Sequence, residues 1–289
     1  MNKSTALIQN PVDDYALKRH HNFQHSLSHH PLLQLEELKK LALRSPKIRF
    51  HSAMLKRTQP FDTARELQTG MTIEETLNNI EASGSFVYLM EVEKDPLYRD
   101  LIQTIMANIE KNVHRHDSKM CKPKAWIFIT SPGGVTPYHR DFNANYFFQI
   151  KGQKTLWLWD HTDREIVGQE EDEAFHGVHS LAKTLYTDEK MKKAVKYEMG
   201  PSSGAFFSYT DPHLVENGSE EVSISLSITF LTPEDYQVKR IHKINQLLRK
   251  VGIIPSDIGK SKLLNQMKLG LHWLVKHTIY LKSPDWEDA

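Results

Sequence analysis

The residues best suited to chemistry in this 289-residue chain are histidines and carboxylates. Sixteen histidines supply two His-x-Asp triplets, His139-Arg140-Asp141 and His161-Thr162-Asp163. Within a strand, residues i and i+2 project from one face, so His139 and Asp141 can offer a nitrogen and an oxygen to the same metal ion. The second triplet follows Trp157-Leu158-Trp159-Asp160, where a strand is ending, and reads as a polar turn. A third ligand would complete the two-histidine, one-carboxylate arrangement that suits non-haem Fe(II) and leaves coordination positions open. His213 is the leading candidate, because Asp211-Pro212-His213 opens the segment into a hydroxyl-bearing strand and an antiparallel neighbour could bring it opposite His139. Taken singly, each of these histidines reads as a hydrogen-bonded or exposed side chain. Only their combination points to a metal.

Such ligands need a rigid frame, and the hydrophobic periodicity supplies one. From residue 124 the pattern is strand-like: Ala125–Thr130, Val135–Phe142, Tyr146–Ile150 and Thr155–Trp159 are rich in aromatic and β-branched residues and separated by turn signals. Two further strands are expected over Gly204–Tyr209 and Val222–Leu231, with a short helix near Asp188–Ala194. In Val222–Leu231, Val222, Ile224, Leu226 and Ile228 alternate with Ser223, Ser225, Ser227 and Thr229, which makes one face apolar and lines the other with hydroxyls. That hydroxyl face suggests a wet cavity. Many short antiparallel strands predict a mainly β core, a double-stranded β-helix or jelly roll of the cupin type, with N-terminal and C-terminal α-helices. The first 120 residues read as mostly helical. Helices are expected after Pro31, from Thr72 with a Thr72/Glu75 capping box, and after Asp95-Pro96 with Asp95 as N-cap. The regions expected are thus 1–120, helical and packed on the barrel; 121–232, the core; and 233–289, a helical dimerisation region.

The segment Thr130-Ser131-Pro132-Gly133-Gly134-Val135-Thr136-Pro137-Tyr138-His139-Arg140-Asp141, with Asn145-Tyr146-Phe147-Phe148-Gln149-Ile150-Lys151-Gly152-Gln153-Lys154, resembles the JmjC and cupin-like Fe(II)/2-oxoglutarate oxygenases. It is most similar to the branch containing the hypoxia-inducible-factor asparaginyl hydroxylase. The resemblance covers roughly residues 126–160 and 204–232. It implies that Thr136, three residues before the first metal histidine, and Lys154, thirteen after the metal aspartate, hold the far carboxylate of 2-oxoglutarate. It also implies that Asn145 lines the cosubstrate or substrate pocket, and that the segment from Pro212-His213 to Asn217-Gly218 carries the distal metal histidine. The activity implied is hydroxylation of a C–H in a protein, peptide or small molecule, with release of succinate and CO2. Demethylation would follow if that carbon sat on a methylated nitrogen. The competing reading is a non-catalytic cupin that binds a metal or ligand and regulates a partner. An anchor for a dicarboxylate distinguishes the two, since a lysine ammonium flanked by a hydroxyl supplies charge-assisted hydrogen bonds that a metal site alone does not require.

Other attractive residues take plainer readings. His176-Gly177-Val178-His179 beside Glu170, Glu171, Asp172 and Glu173 reads as solvated surface, and His20, His21, His25, His29 and His30 as a polar N-terminal segment. Tyr138, Phe147, Trp157 and Trp159 read as core aromatics. The C-terminal helices, from Pro233 and from about Lys262 to Leu281, carry more apolar surface than a solvent-facing tail needs. With the resemblance, this implies a homodimer.

Composition removes several classes. Lys and Arg number 37 against 36 Asp and Glu, a net charge of +1, so no overall field favours nucleic acid or an anionic membrane surface. No apolar run approaches the roughly 18 residues of a membrane span. The first residues lack the apolar core of a secretory signal, and Cys121 as the single cysteine can form no internal disulfide. A cytoplasmic location is the expectation.

Overall fold

The fold is given by a computed structural model that describes residues 7–9, 19–64, 67–116, 119–178 and 180–278. Among these, twelve strands build two antiparallel sheets. The larger joins β1 (Ile8–Gln9), β2 (His21–His25), β3 (Ile48–Ser52), β4 (Ser85–Met90), β5 (Cys121–Thr130), β7 (Ala144–Lys151), β10 (Ser203–Phe207) and β12 (Ser223–Leu231). Their spatial order is β1-β2-β10-β7-β12-β5-β4-β3. The smaller contains β6 (Val135–His139), β8 (Lys154–Leu158), β9 (Val195–Met199) and β11 (His213–Asn217), in the order β6-β11-β8-β9. This is the expected jelly-roll core.

Alternation decides which face each side chain serves. On β5, Ala125, Ile127 and Ile129 are fully buried against α1 (Leu35–Arg44) and α4 (Arg99–Val113) in one apolar cluster. On α4 the contributions come from Ile102, Ile105, Ile109 and Val113, the spacing of one helix face. Trp126 and Phe128, on the other face of β5, line an internal cavity instead. A second cluster, with Phe147, Leu156, Leu158, Phe207 and Val215, packs the two sheets together on that inner side. The inward side chains of β3 and β4 are absent from that cluster. The larger sheet therefore reaches past the smaller one and leaves one end of the cavity open.

The N-terminal region differs from its mostly helical expectation. Besides α1, α2 (Phe61–Ala64), α3 (Ile73–Asn78) and α4, it supplies four strands, β1–β4, to the larger sheet. His21 and His25 are buried within β2, not solvated. The His25 ring nitrogen Nε2 donates towards the carbonyls of Gln149 and Ser203 at 3.1 Å each, and burial pushes its pKa down to about 4. The Thr72/Glu75 capping box is present on α3. By contrast α4 begins at Arg99, because the Asp95 side chain accepts from Leu97 N in a preceding turn and Arg44 pairs with its carboxylate. The acidic run 169–173 opens helix α5 (Gln169–Val178), and α6 is Asp188–Met191. Helices α7 (Pro233–Lys250) and α8 (Lys262–Thr278) follow the barrel, and α7 packs on α5. No described helix is long and apolar enough to cross a membrane.

Candidate metal centre and buried lysine

His139 is the last residue of β6 and His213 the first of β11, and the two stand opposite each other in the strand register. Their ring centroids lie 4.0 Å apart. Each ring is held by its own backbone: His139 Nδ1 lies 2.8 Å from the carbonyl of Pro137, and His213 Nδ1 lies 3.1 Å from that of Asp211. A carbonyl only accepts, so both Nδ1 atoms carry hydrogen and both Nε2 atoms keep the in-plane lone pair. Those Nε2 atoms face one carboxylate, at 4.0 Å from Asp141 Oδ1 and 3.7 Å from Asp141 Oδ2. Fixed tautomers with convergent lone pairs fit a divalent metal. Both histidines are buried while the Asp141 side chain is half exposed, which leaves one side of the group open.

One detail departs from expectation. The strand predicted over Val135–Phe142 stops at His139, so Asp141 is not on the same strand face as His139. It arrives by a bend, and that bend is anchored from behind. The Arg140 side chain, fully buried, donates from Nε to the Thr210 carbonyl at 3.0 Å and from Nη2 to Asp172 at 2.5 Å. Thr210 sits at φ 67°, a left-handed conformation unusual for a β-branched residue, just before the turn that carries His213. Phe142 stacks on Phe175 of α5 at 4.0 Å. Arg140 therefore ties together the two loops that deliver Asp141 and His213.

Lys154 opens β8 at the inner part of the same cavity, which has a volume of about 670 Å3 and is also lined by Thr136, His139, Asp141, Asn145 and His213. Its ammonium donates to Ser225 Oγ at 2.7 Å and lies 4.7 Å from the centre of the Phe147 ring. Ser225 Oγ in turn donates to Gln149 Oε1 at 2.8 Å, and the Gln149 amide NH2 donates to Lys151 O, Gly152 O and Ser223 Oγ. Among the described residues no carboxylate pairs with Lys154, and burial alone pushes its pKa down to about 7. Asn145 Oδ1 accepts from Ser227 Oγ at 2.7 Å. The hydroxyls of β12 thus do face the cavity, as the alternation implied. Phe147 lines it too, so it is not merely a core aromatic.

Among the described residues, two other groups could attract a metal. Asp172, His176 and His242 converge between α5 and α7, all buried. That overturns the solvated-surface reading of His176; His179 lies outside the described residues. Asp172 already accepts from Arg140 and Arg164, so a dication there would meet two guanidiniums. The two imidazoles stack at 4.7 Å, and desolvation depresses both pKa values, that of His242 to about 4. Asp160, His161 and Asp211 form the third group. Here Asp160 accepts from Thr162 and Asp211 from His161 and Ser208, an arrangement that closes the turn expected at that triplet.

The arrangement at hand is one buried, preorganised two-histidine, one-carboxylate group and one uncompensated lysine in a single cavity. The family described as the cupin-like domain matches residues 11–251. The chain belongs to that family. An X-ray structure of E. coli ycfD is similar to this cupin-like chain with a TM-score of 0.46 and 15% identity, over 94% of this chain and 68% of that one. No curated protein matches the chain. Sequence reasoning did not find Phe61, whose ring stacks on His139 at 3.9 Å and 10°; nothing in the residues near Pro60 signals that contact. Nor did it find Arg140, hidden inside its own triplet. The Ser225–Gln149 relay was legible only as an alternating hydroxyl face.

A lysine buried without a counter-ion costs stability. Lys154→Met is expected to raise the melting temperature of the chelator-stripped protein at pH 6 by on the order of 5 °C. The sign follows from the depressed pKa: between about 7 and 10.5 the unfolded chain binds the extra proton, so wild-type stability recovers across that window as pH rises. The gain should therefore shrink at pH 9. A lower melting temperature for the variant at pH 6 would contradict the uncompensated charge.

Proposed function

We propose that the chain is an Fe(II)- and 2-oxoglutarate-dependent oxygenase that hydroxylates a substrate C–H. The observation that carries this reading is Lys154, an ammonium buried in the metal cavity with a serine hydroxyl as its hydrogen-bond acceptor. A residue kept at a stability cost and aimed into a cavity fits a ligand that supplies the missing charge. In this reading His139, Asp141 and His213 hold the iron, and Thr136, Lys154 and Asn145 hold the cosubstrate. When bound, iron and 2-oxoglutarate supply the oxidising chemistry, in which dioxygen is consumed and succinate, CO2 and a hydroxylated product are released.

The chain's own residues do the rest. Lys154 neutralises the cosubstrate's far carboxylate, and Ser225, locked by Gln149, fixes where that ammonium points. Thr136 adds a hydroxyl from β6. Leu156, Phe207 and Val215 wall the inner cavity with apolar surface, which excludes water from the reacting groups. The Pro137 and Asp211 carbonyls hold both imidazoles in the ligating tautomer before any metal arrives. A regulatory cupin that only bound metal would need the tautomer lock but not the lysine.

Anaerobic addition of 2-oxoglutarate to the Fe(II)-loaded protein should produce a visible charge-transfer band that is lost in His139→Ala. Because Lys154 must be protonated to act and starts from a pKa of about 7, 2-oxoglutarate affinity should weaken as pH rises above 7, by up to roughly tenfold per pH unit. Lys154→Arg should flatten that slope. Stoichiometric iron without a band would sink the oxygenase reading.

We also propose a homodimer formed through the C-terminal helices. The support is the exposed apolar surface of α8, where Leu263, Met267, Trp273 and Leu274 are 72%, 61%, 61% and 49% exposed. Light scattering should give twice the monomer mass, and a strict monomer would end this proposal.

A further inference from the structure

Phe61 is a ring that neither the metal group nor the cosubstrate residues require. It opens α2, outside both sheets, and its face lies on the His139 imidazole at 3.9 Å and 10°. The chain that brings it there, between β3 and α3, is tied down on both sides of α2. Before the helix, Arg57 donates from Nε and Nη2 to the Glu216 carboxylate of β11 at 2.6 and 2.7 Å. After it, the Leu67 carbonyl accepts from Ser52 N at the end of β3, at 2.7 Å. Phe61, Asp62 and Gln68 all line the cavity. Two tethers thus hold one aromatic ring over one of the three proposed metal ligands.

That placement sets a distance. A metal ion held by His139 Nε2 lies in the plane of the imidazole, about 2.1 Å beyond the nitrogen. A ring nearly parallel to that plane and centred 3.9 Å from the imidazole has its nearest carbon within about 5 Å of such an ion. Among the described residues one other ring touches a histidine of the metal group: Phe207 meets His213 at 4.8 Å and 43°. Phe207 is buried in the cluster that joins the two sheets, together with Leu156 and with Phe147, the ring beneath Lys154, so it stands on the side proposed for the cosubstrate. Phe61 is half-buried and belongs to none of the apolar clusters of the described residues. Tyr88, deeper along the larger sheet, contacts His51, Phe86 and Phe128 instead. A C–H held beside a reacting centre meets it at an effective concentration far above that of any free competitor.

Resting on the oxygenase reading, we infer that Phe61 is a self-hydroxylation site: when no substrate fills the cavity, the chain oxidises its own Phe61 ring to a tyrosine side chain. One ring C–H becomes C–OH. One atom of dioxygen enters that hydroxyl and the other enters succinate, while the bond between the carboxylate and the oxo carbon of 2-oxoglutarate breaks and CO2 leaves. Dioxygen takes up four electrons, two from the ring C–H and two from 2-oxoglutarate. A substrate in the cavity competes with Phe61 for the same oxidising chemistry, so the modification marks turnover that lacked a substrate.

The test incubates the full chain with Fe(II), 2-oxoglutarate and isotopically labelled dioxygen, without substrate, and maps the label by peptide mass spectrometry. Phe61 should gain one labelled oxygen atom, in a yield on the order of tenfold above that at any other aromatic residue. Phe61→Leu should lower the total label in the chain by a similar factor. A second readout needs no turnover. With ring-labelled phenylalanine in the chain and redox-inert Mn(II) in place of iron, the resonance that Phe61→Leu removes should be relaxed at least as strongly as that of any other phenylalanine. Weak relaxation of that resonance overturns the inference, and so does an unlabelled Phe61 or label placed chiefly at Phe207 or elsewhere. The anaerobic charge-transfer band with 2-oxoglutarate separates the two failures: without it the oxygenase reading itself falls, whereas a normal band with an unmodified Phe61 condemns only the self-hydroxylation.

Discussion

An ammonium group buried in the barrel with no carboxylate beside it among the described residues is the constraint around which this barrel is arranged. Desolvating a lysine is expensive, and the protein meets part of that cost with one hydroxyl, Ser225, and one aromatic face, Phe147. The hydroxyl is useful only because its proton has a fixed destination in Gln149, whose own amide is held by the carbonyls of the β7–β8 turn. That turn needs Gly152, at φ 75°, where a Cβ would come within 2.8 Å of the Val222 carbonyl. Even the N-terminal strand β2 reaches this place, through His25 and the Gln149 carbonyl. The serine alternation of β12 is thus the visible trace of a network that keeps one cation in position.

The metal group follows a parallel logic on the other sheet. Backbone carbonyls choose the tautomers of His139 and His213, antiparallel register sets them face to face, and Asp141 arrives by a bend that needs an external anchor. Arg140 supplies that anchor by joining the bend, the strained Thr210 and the helical layer through Asp172. Asp172 in turn reaches Asp257, beyond α7, by way of Arg164. Helices α5 and α7 are therefore part of the support of the proposed centre and not a decoration of the barrel.

How much of this was legible depended on whether the information was local. Period-two alternation showed β12 and its hydroxyl face, because burial on a half-wet sheet writes itself into consecutive residues. The His139, Asp141 and His213 grouping and the place of Lys154 in the same cavity came through a family resemblance carried by short local segments of sequence. Strands β1–β4 were missed for the opposite reason. Segments such as His21–His25 and Ile48–Ser52 mix histidine, arginine and aromatics, and only pairing with distant strands makes them β. His176 was misjudged because the acidic run before it looked solvated, whereas Glu171, Asp172 and Glu173 are buried and satisfied by Thr184, Arg140, Arg164 and Arg249. Phe61 packs on His139 across 78 positions of chain, which no window reveals.

The central claim is that Lys154 stands where it does to receive the far carboxylate of a 2-oxo dicarboxylic acid. Calorimetric titration of the Mn(II)-loaded chain with 2-oxoglutarate and with 2-oxobutyrate, which keeps the chelating end and lacks the far carboxylate, tests that directly. The account predicts that the wild-type protein prefers 2-oxoglutarate by at least about a hundredfold and that Lys154→Met removes most of that preference while metal affinity is unchanged. Equal affinity for the two acids in the wild-type chain, or a preference that survives in Lys154→Met, would contradict it.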